Sequence, residues 1–233
     1  MKKKTFYTEF AYLFGLLLIA LSCALLKHSN FGVSMIVAPA YLLHLYISPF
    51  WSAFTFGMAE YCLQALLIVI MAIIIRRCRV GYLFSFVTAV VYGLILDGFI
   101  YLVDFIPSDE LWQRILLLLF GMVICCIGVA MMFKTYISPE AYELIVMETS
   151  SKFKWDIHKC KWCFDCICCG VAIILSFIFF GKWRFDAIGV STLLCAALNG
   201  YLIGRFSKVL DKYFVFKDGL PLRKFFTGED RKN

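Results

Sequence analysis

Residues 53–79 constrain the fold of this chain most strongly, because an apolar run of this length crosses a lipid bilayer. The run reads AFTFGMAEYCLQALLIVIMAIIIRRCR, carries one carboxylate, Glu60, and ends in a basic cluster. About 20 consecutive apolar residues are enough to span the hydrocarbon core of a membrane. A fainter copy of the run follows about a hundred residues later, with Asp165 in the place of Glu60.

The composition of the whole chain leads to the same class of protein. Hydrophobic residues make up 62% of the 233 residues and charged residues 17%, against about 45–50% and about 25% in soluble domains. So few polar side chains cannot cover a water-facing surface, and the chain is therefore an integral membrane protein. The net charge of +7 does not indicate a nucleic-acid partner, because Lys and Arg collect on the cytoplasmic loops of membrane proteins.

The hydropathy pattern predicts an all-α protein with six transmembrane helices. Two further stretches, 31–46 and 137–153, are apolar but interrupted, and each predicts a short interfacial or re-entrant helical segment. The six predicted spans are 11–26, 53–75, 82–103, 111–133, 162–180 and 187–203.

The basic residues predict the orientation in the membrane. If the N-terminus is cytoplasmic and the spans alternate, 19 of the 23 Lys and Arg fall on the inner side. Cytoplasmic loops are enriched in these residues, so we expect a multi-pass protein of the cell (inner) membrane with both termini cytoplasmic. Most of the 11 cysteines lie in apolar runs or beside a predicted cytoplasmic segment, so we expect no structural disulfides.

The two halves of the chain correspond at an offset of about 106 residues. Glu60 in the second span matches Asp165 in the fifth, and Gly15 in the first matches Gly121 in the fourth. Each half holds three spans, so the second half enters the membrane from the other side and the two repeats are inverted. The predicted units are a first repeat, 1–110, a second repeat, 111–208, and a basic cytoplasmic tail, 209–233.

Small or polar residues recur at every fourth position in the third and sixth spans. Such ridges let helix backbones approach closely in lipid, so these two spans are expected to be central, packed against each other or against the first and fourth. Helix packing is favoured over ligand contact for them. The ridge residues are Ser85, Ala89 and Gly93 in the third span and Thr192, Ala196, Gly200 and Gly204 in the sixth.

The acidic residues inside the spans define a candidate polar site. A carboxylate in the bilayer is costly and usually faces the bundle interior, and Glu60 shares its helix face with Gln64. Asp97, in the third span, lies at a similar depth. If Glu60 and Asp97 face each other, a shared proton would make a site for proton exchange; alternatively, each carboxylate accepts hydrogen bonds and only fixes packing. The candidate site comprises Glu60, Gln64, Tyr92, Asp97 and Asn199.

On the inner side, Asp165 and Arg205 mirror Glu60 and Asp97 through the repeat, because Gly204 is the repeat partner of Asp97. They predict an ion pair with a structural role.

The segment 160–169 carries five cysteines, Cys160-x-x-Cys163-x-x-Cys166-x-Cys168-Cys169. Its spacing departs from the ferredoxin pattern, and no zinc spacing completes it. Packing at the membrane boundary is favoured, with redox or metal chemistry and acylation as alternatives. We expect no cofactor and no metal, and no catalytic motif is found, so the sequence does not indicate an enzyme.

Several segments together resemble a known group of proteins, the bacterial YczE/YyaS/YitT-like family of small integral membrane proteins. The resemblance covers about 12–208 and implies a multi-pass protein of the bacterial inner membrane, without a substrate to carry over. The segments are GVSMIVAPAYLL, FTFGMAEYCLQALL, YLFSFVTAVVYGLILDG, TYISPEAYELIV, CFDC and LNGYLIGRFS.

Three functions fit this architecture. The first is a small transporter or permease-like protein for an unknown small molecule or ion, with a polar site between the repeats. A water-filled cavity that reaches Glu60 would favour this function, and a solid bundle there would contradict it. The second is a substrate-capture subunit of a larger transport complex. The third is a non-transporting accessory or sensor protein that binds lipid, another membrane protein or a second copy of itself.

Overall fold

The structure is a computed structural model that describes residues 4–75 and 80–221, and it is almost entirely helical. Three of the basic residues that predict the orientation, Arg76, Arg77 and Arg79, lie outside the described residues, as do Lys2, Lys3 and the tail beyond 221. The described part contains the helices α1 (Thr8–His28), α2 (Ala38–Ile47), α3 (Phe56–Ile75), α4 (Val80–Val103), α5 (Leu111–Met132), α6 (Ala141–Phe153), α7 (Ile157–Phe180) and α8 (Val190–Tyr213), and the strands β1 (Lys4–Tyr7) and β2 (Phe214–Lys217).

Within the described residues, six helices are long and apolar enough to cross a membrane: α1, α3, α4, α5, α7 and α8. The shorter helices, α2 and α6, cover the two interrupted stretches. Large apolar side chains point away from the bundle, as Ile73, Leu94 and Ile178 do, each about two-thirds exposed. The chain is thus a multi-pass helical membrane protein, as its sequence predicts.

Two span boundaries differ from the sequence prediction by five residues or more, and the others by three or fewer. Helix α7 begins at Ile157, five residues early, because the side chain of Asp156 caps its first turn by accepting hydrogen bonds from the backbone N–H groups of His158 and Lys159. Helix α8 continues to Tyr213, well past the apolar run, and leads directly into β2. The first residues of the predicted tail are therefore helix and strand.

The centre of the bundle is the pair α1 and α5. More than half of each is buried, against about a third or less of the other four spans. The two run antiparallel, since Gly15 lies against Met132 whereas Gly121 lies against Leu26. The third and sixth spans are not central, which corrects our expectation, but each packs on the first or fourth span as expected: α4 on α1 and α3, and α8 on α5 and α7. Glycines of the first and fourth spans, such as Gly15 and Gly121, let these two helices approach closely.

The short helices cross between the halves. Helix α2 packs on α3 and α7, and α6 packs on α7 and α3. Each short helix therefore contacts one span from its own half and one from the other half.

The two strands tie the ends of the described chain together. β1 pairs in parallel with β2, with Lys4 opposite Phe214 and Tyr7 opposite Lys217. The Glu9 carboxylate reinforces this tie, because it accepts hydrogen bonds from the N–H of Gly219 at 3.0 Å and from the Tyr136 hydroxyl at 2.7 Å. Both ends thus lie on the same side of the bundle.

A glycine pair sets the spacing of α3 and α4 and yields a prediction. A Cβ on Gly93 would lie 2.7 Å from the backbone oxygen of Gly57, whereas a Cβ on Gly98, on the same helix, meets nothing within 4 Å. We expect Gly93→Ala to cost about 1–3 kcal/mol, since the rigid α3 backbone must move away. Gly98→Ala should be neutral or slightly stabilising. Thermal unfolding in detergent micelles measures both, and equal melting temperatures for the two variants would contradict the close contact.

Candidate functional site

Helix α6 begins inside the bundle, and side chains hold the extended residues that lead to it. The hydroxyl of Ser85 donates to the carbonyl of Pro139, and that of Thr88 donates to the carbonyl of Ser138 at 3.3 Å. The N–H of Ala141 donates to Gln64 Oε1 at 3.1 Å. Because Gln64 lies near the middle of α3, the N-terminus of α6 lies at the same level, and the segment enters the bundle and returns.

The entry to α2 is held in the same way. The Thr192 hydroxyl donates to the carbonyl of Val33 at 2.7 Å, and the Ser191 hydroxyl donates to that of Gly32 at 2.8 Å. Non-helical backbone at membrane depth requires such partners, because lipid offers none.

Four polar side chains meet where α6 begins. The hydroxyl of Tyr142 donates to Glu60 Oε2 at 2.9 Å, and Gln64 Nε2 donates to Glu140 Oε2 at 3.2 Å. All four are at most 1% exposed. Glu60 and Gln64 come from α3, whereas Glu140 and Tyr142 come from the second half of the chain, so the contacts bridge the two halves.

A buried ion triad lies next to this group. Lys161 Nζ is 3.3 Å from Glu143 Oε1 and 3.2 Å from Asp165 Oδ1. Lys161 and Asp165 are one turn apart on α7, and Glu143 reaches them from α6. The three side chains are no more than 1% exposed. A lysine can be buried here because two carboxylates compensate its charge.

Charge does not balance across the whole buried cluster, which we define as Glu60, Gln64, Glu140, Tyr142, Glu143, Lys161 and Asp165. It holds four carboxyl groups and one ammonium group. Among the described residues, Glu60 Oε1, Glu140 Oε1 and Glu143 Oε2 are buried without a hydrogen-bond partner. At least three of the four carboxyl groups in the cluster thus have an oxygen without a hydrogen-bond donor among the described residues.

The other predicted members of the polar site take separate places. Asp97 Oδ1 accepts from the N–H of Gly57 at 3.0 Å and so caps the start of α3, while Glu60 bonds to Tyr142. The two carboxylates therefore have different partners. Tyr92 is fully buried, with Glu60 and Glu140 among its electrostatic neighbours. Asn199, also buried, accepts from the thiol of Cys126 at 3.6 Å.

The predicted ion pair between Asp165 and Arg205 is replaced by the pair of Asp165 with Lys161. Arg205 is exposed, and its guanidinium lies over the ring of Tyr201, 5.6 Å from the ring centre. Asp165 instead faces the interior, where Lys161 on its own helix is closer. The offset between repeats located the depth of Arg205 but not the direction of its side chain.

The ridge residues divide into two roles. Ser85 and Thr192 bond the carbonyls of the two entry segments, as described above. Gly93 packs on Gly57. A Cβ atom added to Gly200 would lie 3.0 Å from the Cβ of Trp162. Of the rest, Ala89 is fully buried, Ala196 is half-buried, and Gly204 faces His158.

The cysteine-rich segment lies on α7 and does not converge. Cys163 and Cys166 are exposed, whereas Cys160 is buried and donates to the carbonyl of Val146. In the described part of the chain, cysteines are free thiols and no group of three or more His, Cys, Asp or Glu is placed to hold a metal ion.

Sequence reasoning did not assign Glu140, Tyr142, Glu143 or Lys161 to the site. A signal existed for Lys161, which lies four residues before Asp165 on a helix and so shares its face. The i, i+3 spacing of Glu140 and Glu143 in an apolar stretch is a second signal. Neither reveals that α6 enters the bundle and brings the two pairs together.

The site is closed to water in this structure. Glu60 is fully buried, and the nearby apolar groove of about 360 Å³, between α3, α6 and α7, is lined by residues such as Leu67, Met71 and Ile145 rather than by Glu60. The described residues therefore close around Glu60, which counts against transport through a fixed cavity, and access of water to Glu60 requires a movement of the helices.

Residues 6–208 match the sequence model of one family, described as a family of unknown function (DUF6198). No curated protein and no solved structure matches the chain.

The ion triad predicts a large cost for removing its cation. Lys161→Met leaves Glu143 and Asp165 buried without compensation, and we expect a loss of about 3–5 kcal/mol in the free energy of unfolding. Lys159→Met, two residues away and exposed, is the matched control and should change stability by less than about 0.5 kcal/mol. Melting curves of the purified variants in micelles make the comparison.

A charge-neutral background separates charge from packing in this test. Adding Glu143→Gln and Asp165→Asn to Lys161→Met should recover much of the lost stability. Failure to recover would mean that the lysine stem, and not its charge, matters.

Proposed function

The chain belongs to this family of unknown function, and we propose that it is a small transporter whose polar site lies between two inverted repeats. The observation that carries the proposal is the buried cluster, because it is polar, lies at the middle of a membrane bundle and draws side chains from both halves. Ionisable groups inside a membrane are expensive and usually mark a pathway for an ion or a substrate.

The packing supports an inverted repeat. Helices follow one another in the same order in each half, long, short, long, long, and their packing partners exchange: α4 lies on α1 as α8 lies on α5, and α6 reaches α3 as α2 reaches α7. In transporters built from inverted repeats, the site lies near the repeat interface and uses discontinuous helices.

Individual contacts support the same relation. Gly15 contacts Met132, and Gly121 contacts Leu26. Gly121 lies 106 positions after Gly15, and Leu26 lies 106 positions before Met132, so the two contacts are equivalent in the repeat. Ser85 bonds the carbonyl of Pro139 as Thr192 bonds that of Val33. The donors are 107 positions apart and the acceptors 106. Such pairing is expected when two halves share one fold.

The two halves have diverged at the site. At the position that corresponds to Lys161 the first half has an aromatic residue, Phe56 of α3, which packs against Tyr41 of α2 with ring centres 5.0 Å apart. Phe56 stands 105 positions before Lys161. The proposed transporter thus has one ionic site, on the side where α6 enters.

The proposal includes the orientation. With both termini cytoplasmic, α6 enters from the inner side and α2 from the outer side. The pairing of β1 with β2 is consistent with this arrangement, because it keeps both ends on one side.

A test of transport that needs no known substrate is access of water-borne reagents to the site. Cys23 is 3% exposed and has Glu60 among its electrostatic neighbours. We expect slow modification of Cys23 by aminoethyl methanethiosulfonate in native membrane vesicles, because helix movements would open the site to water. Mass spectrometry of the labelled peptides measures the rate.

Two controls make the labelling decisive. Unfolding would label every buried thiol at a similar rate, so Cys195, which is also fully buried, must react more slowly than Cys23. Cys62 is exposed on α3 and should react with a lipid-soluble maleimide. A Cys23 that stays unmodified, or reacts only as fast as Cys195, contradicts the proposal.

A further inference from the structure

The carboxyl groups of Glu60 and Glu140, one from each half of the chain, both contact Gln64, and we call them the pair below. Each has one oxygen that accepts a hydrogen bond, Glu60 Oε2 from Tyr142 and Glu140 Oε2 from Gln64. The second oxygen of each, Oε1, is buried without a hydrogen-bond partner among the described residues. Gln64 follows Glu60 by one turn on α3 and lies within hydrogen-bonding range of it as well as of Glu140.

Charges nearby do not neutralise the pair. Lys161 is engaged by Glu143 and Asp165 at 3.3 and 3.2 Å, so its single charge is already matched by two carboxylates. The titratable groups around the pair are Tyr12 and Cys23 from α1, Tyr92 from α4, Tyr142 and Glu143 from α6, and Lys161 from α7. Apart from Lys161, each of these is neutral or negative.

We infer that Glu60 and Glu140 share one exchangeable proton, which makes them the proton-binding site of the bundle. A protonated carboxyl group is a hydrogen-bond donor, so one proton on either residue can supply the donor that the unpartnered oxygen of the other lacks. In addition, two neighbouring carboxylates cannot both be ionised in a dry interior. The sequence led us to expect such a pair between Glu60 and Asp97; the partner is Glu140, because Asp97 is engaged by the start of α3.

A proton fits the pair better than a metal ion. Hard cations need several oxygen ligands, six or more for Ca²⁺, and the described residues contain no group of three acidic, His or Cys side chains placed to hold one. In addition, one oxygen of each carboxyl group is already taken by an O–H or N–H donor.

Exchange requires the two carboxyl groups to separate. Glu60 belongs to the long helix α3, whereas Glu140 ends the extended segment before α6, which is held by the hydroxyls of Ser85 and Thr88. A shift of α6 relative to α3 would part the carboxyl groups and admit water, and the proton would leave as both ionise. The inference deepens the proposed function, but proton binding itself does not require transport.

The first experiment is the pH dependence of the melting temperature of the full chain in micelles. A carboxyl group that keeps its proton when folded binds more protons folded than unfolded above about pH 4, so stability must fall as the pH rises. For one proton we expect the melting temperature to fall by about 3–5 °C per pH unit between about pH 6.5 and pH 8, below the range in which thiols of the unfolded chain ionise. Asp109→Asn, an exposed carboxyl change, should keep this slope.

Substitutions at the pair distinguish one shared proton from two separate ones. Glu60→Gln and Glu140→Gln should each remove the slope, and the double variant should behave as either single one. Half the slope in each single variant would overturn sharing, and an unchanged slope in both would overturn the site. As an ion control, the melting temperature is compared in sodium chloride and in choline chloride. Stabilisation of the wild type by sodium that is absent in Glu60→Gln would mean that the pair binds a sodium ion and not a proton, and would overturn the inference.

Infrared spectroscopy keeps the inference testable if a variant does not fold. The wild type at neutral pH should show the C=O stretch of a protonated, buried carboxyl group, which slowly shifts in D₂O. Absence of this band overturns the inference. A band with no labelling of Cys23 would leave the proton site standing and contradict the transporter.

Discussion

The cost of holding ionisable groups away from water governs the arrangement of this protein. Lys161 can be buried only with Glu143 and Asp165 beside it, and this need ties α6 to α7. Glu60 and Gln64 then bind α6 to α3 through Tyr142 and Ala141. A short helix that is only moderately apolar is thus held in the bundle by polar contacts, whereas the six spans are held by small residues and lipid. A buried ion triad thus lies at a helix that does not cross the membrane.

Backbone hydrogen bonding explains why the same residue types recur in both halves. Each short helix is preceded by extended residues whose carbonyls have no helical partner, and lipid cannot supply one. Hydroxyl groups on the neighbouring long helix supply it, Ser85 for Pro139 and Thr192 for Val33. A ridge that has the spacing of a helix-packing motif therefore has two functions along its length. Its first residue donates a hydrogen bond to a backbone carbonyl group, and its glycines set the distance between helices.

The spans were predictable because bilayer thickness fixes the length of an apolar run, and the described helices follow the predicted positions closely at α3, α4 and α5. The start of α7 was not predictable, since a lysine at position 161 indicates a loop at the membrane surface unless its two buried partners are known. One of them, Glu143, comes from α6, whose path into the bundle leaves no periodic signal. Glu60 and Gln64 were identified from the cost of polar groups in lipid, a one-dimensional argument. The partner of Glu60 depends on helix rotation, which depth alone does not determine.

The parallel pairing of β1 with β2 has a consequence for how the protein is made. β1 lies just before α1, and β2 follows α8, so the first strand to leave the ribosome has no partner until all six spans have been synthesised. Parallel strands always need a long connection between them, and here that connection is the whole membrane bundle. The N-terminal strand must wait, unpaired, at the membrane surface throughout translation. Closure of the ladder therefore requires that every intervening helix has been delivered to the correct side of the membrane.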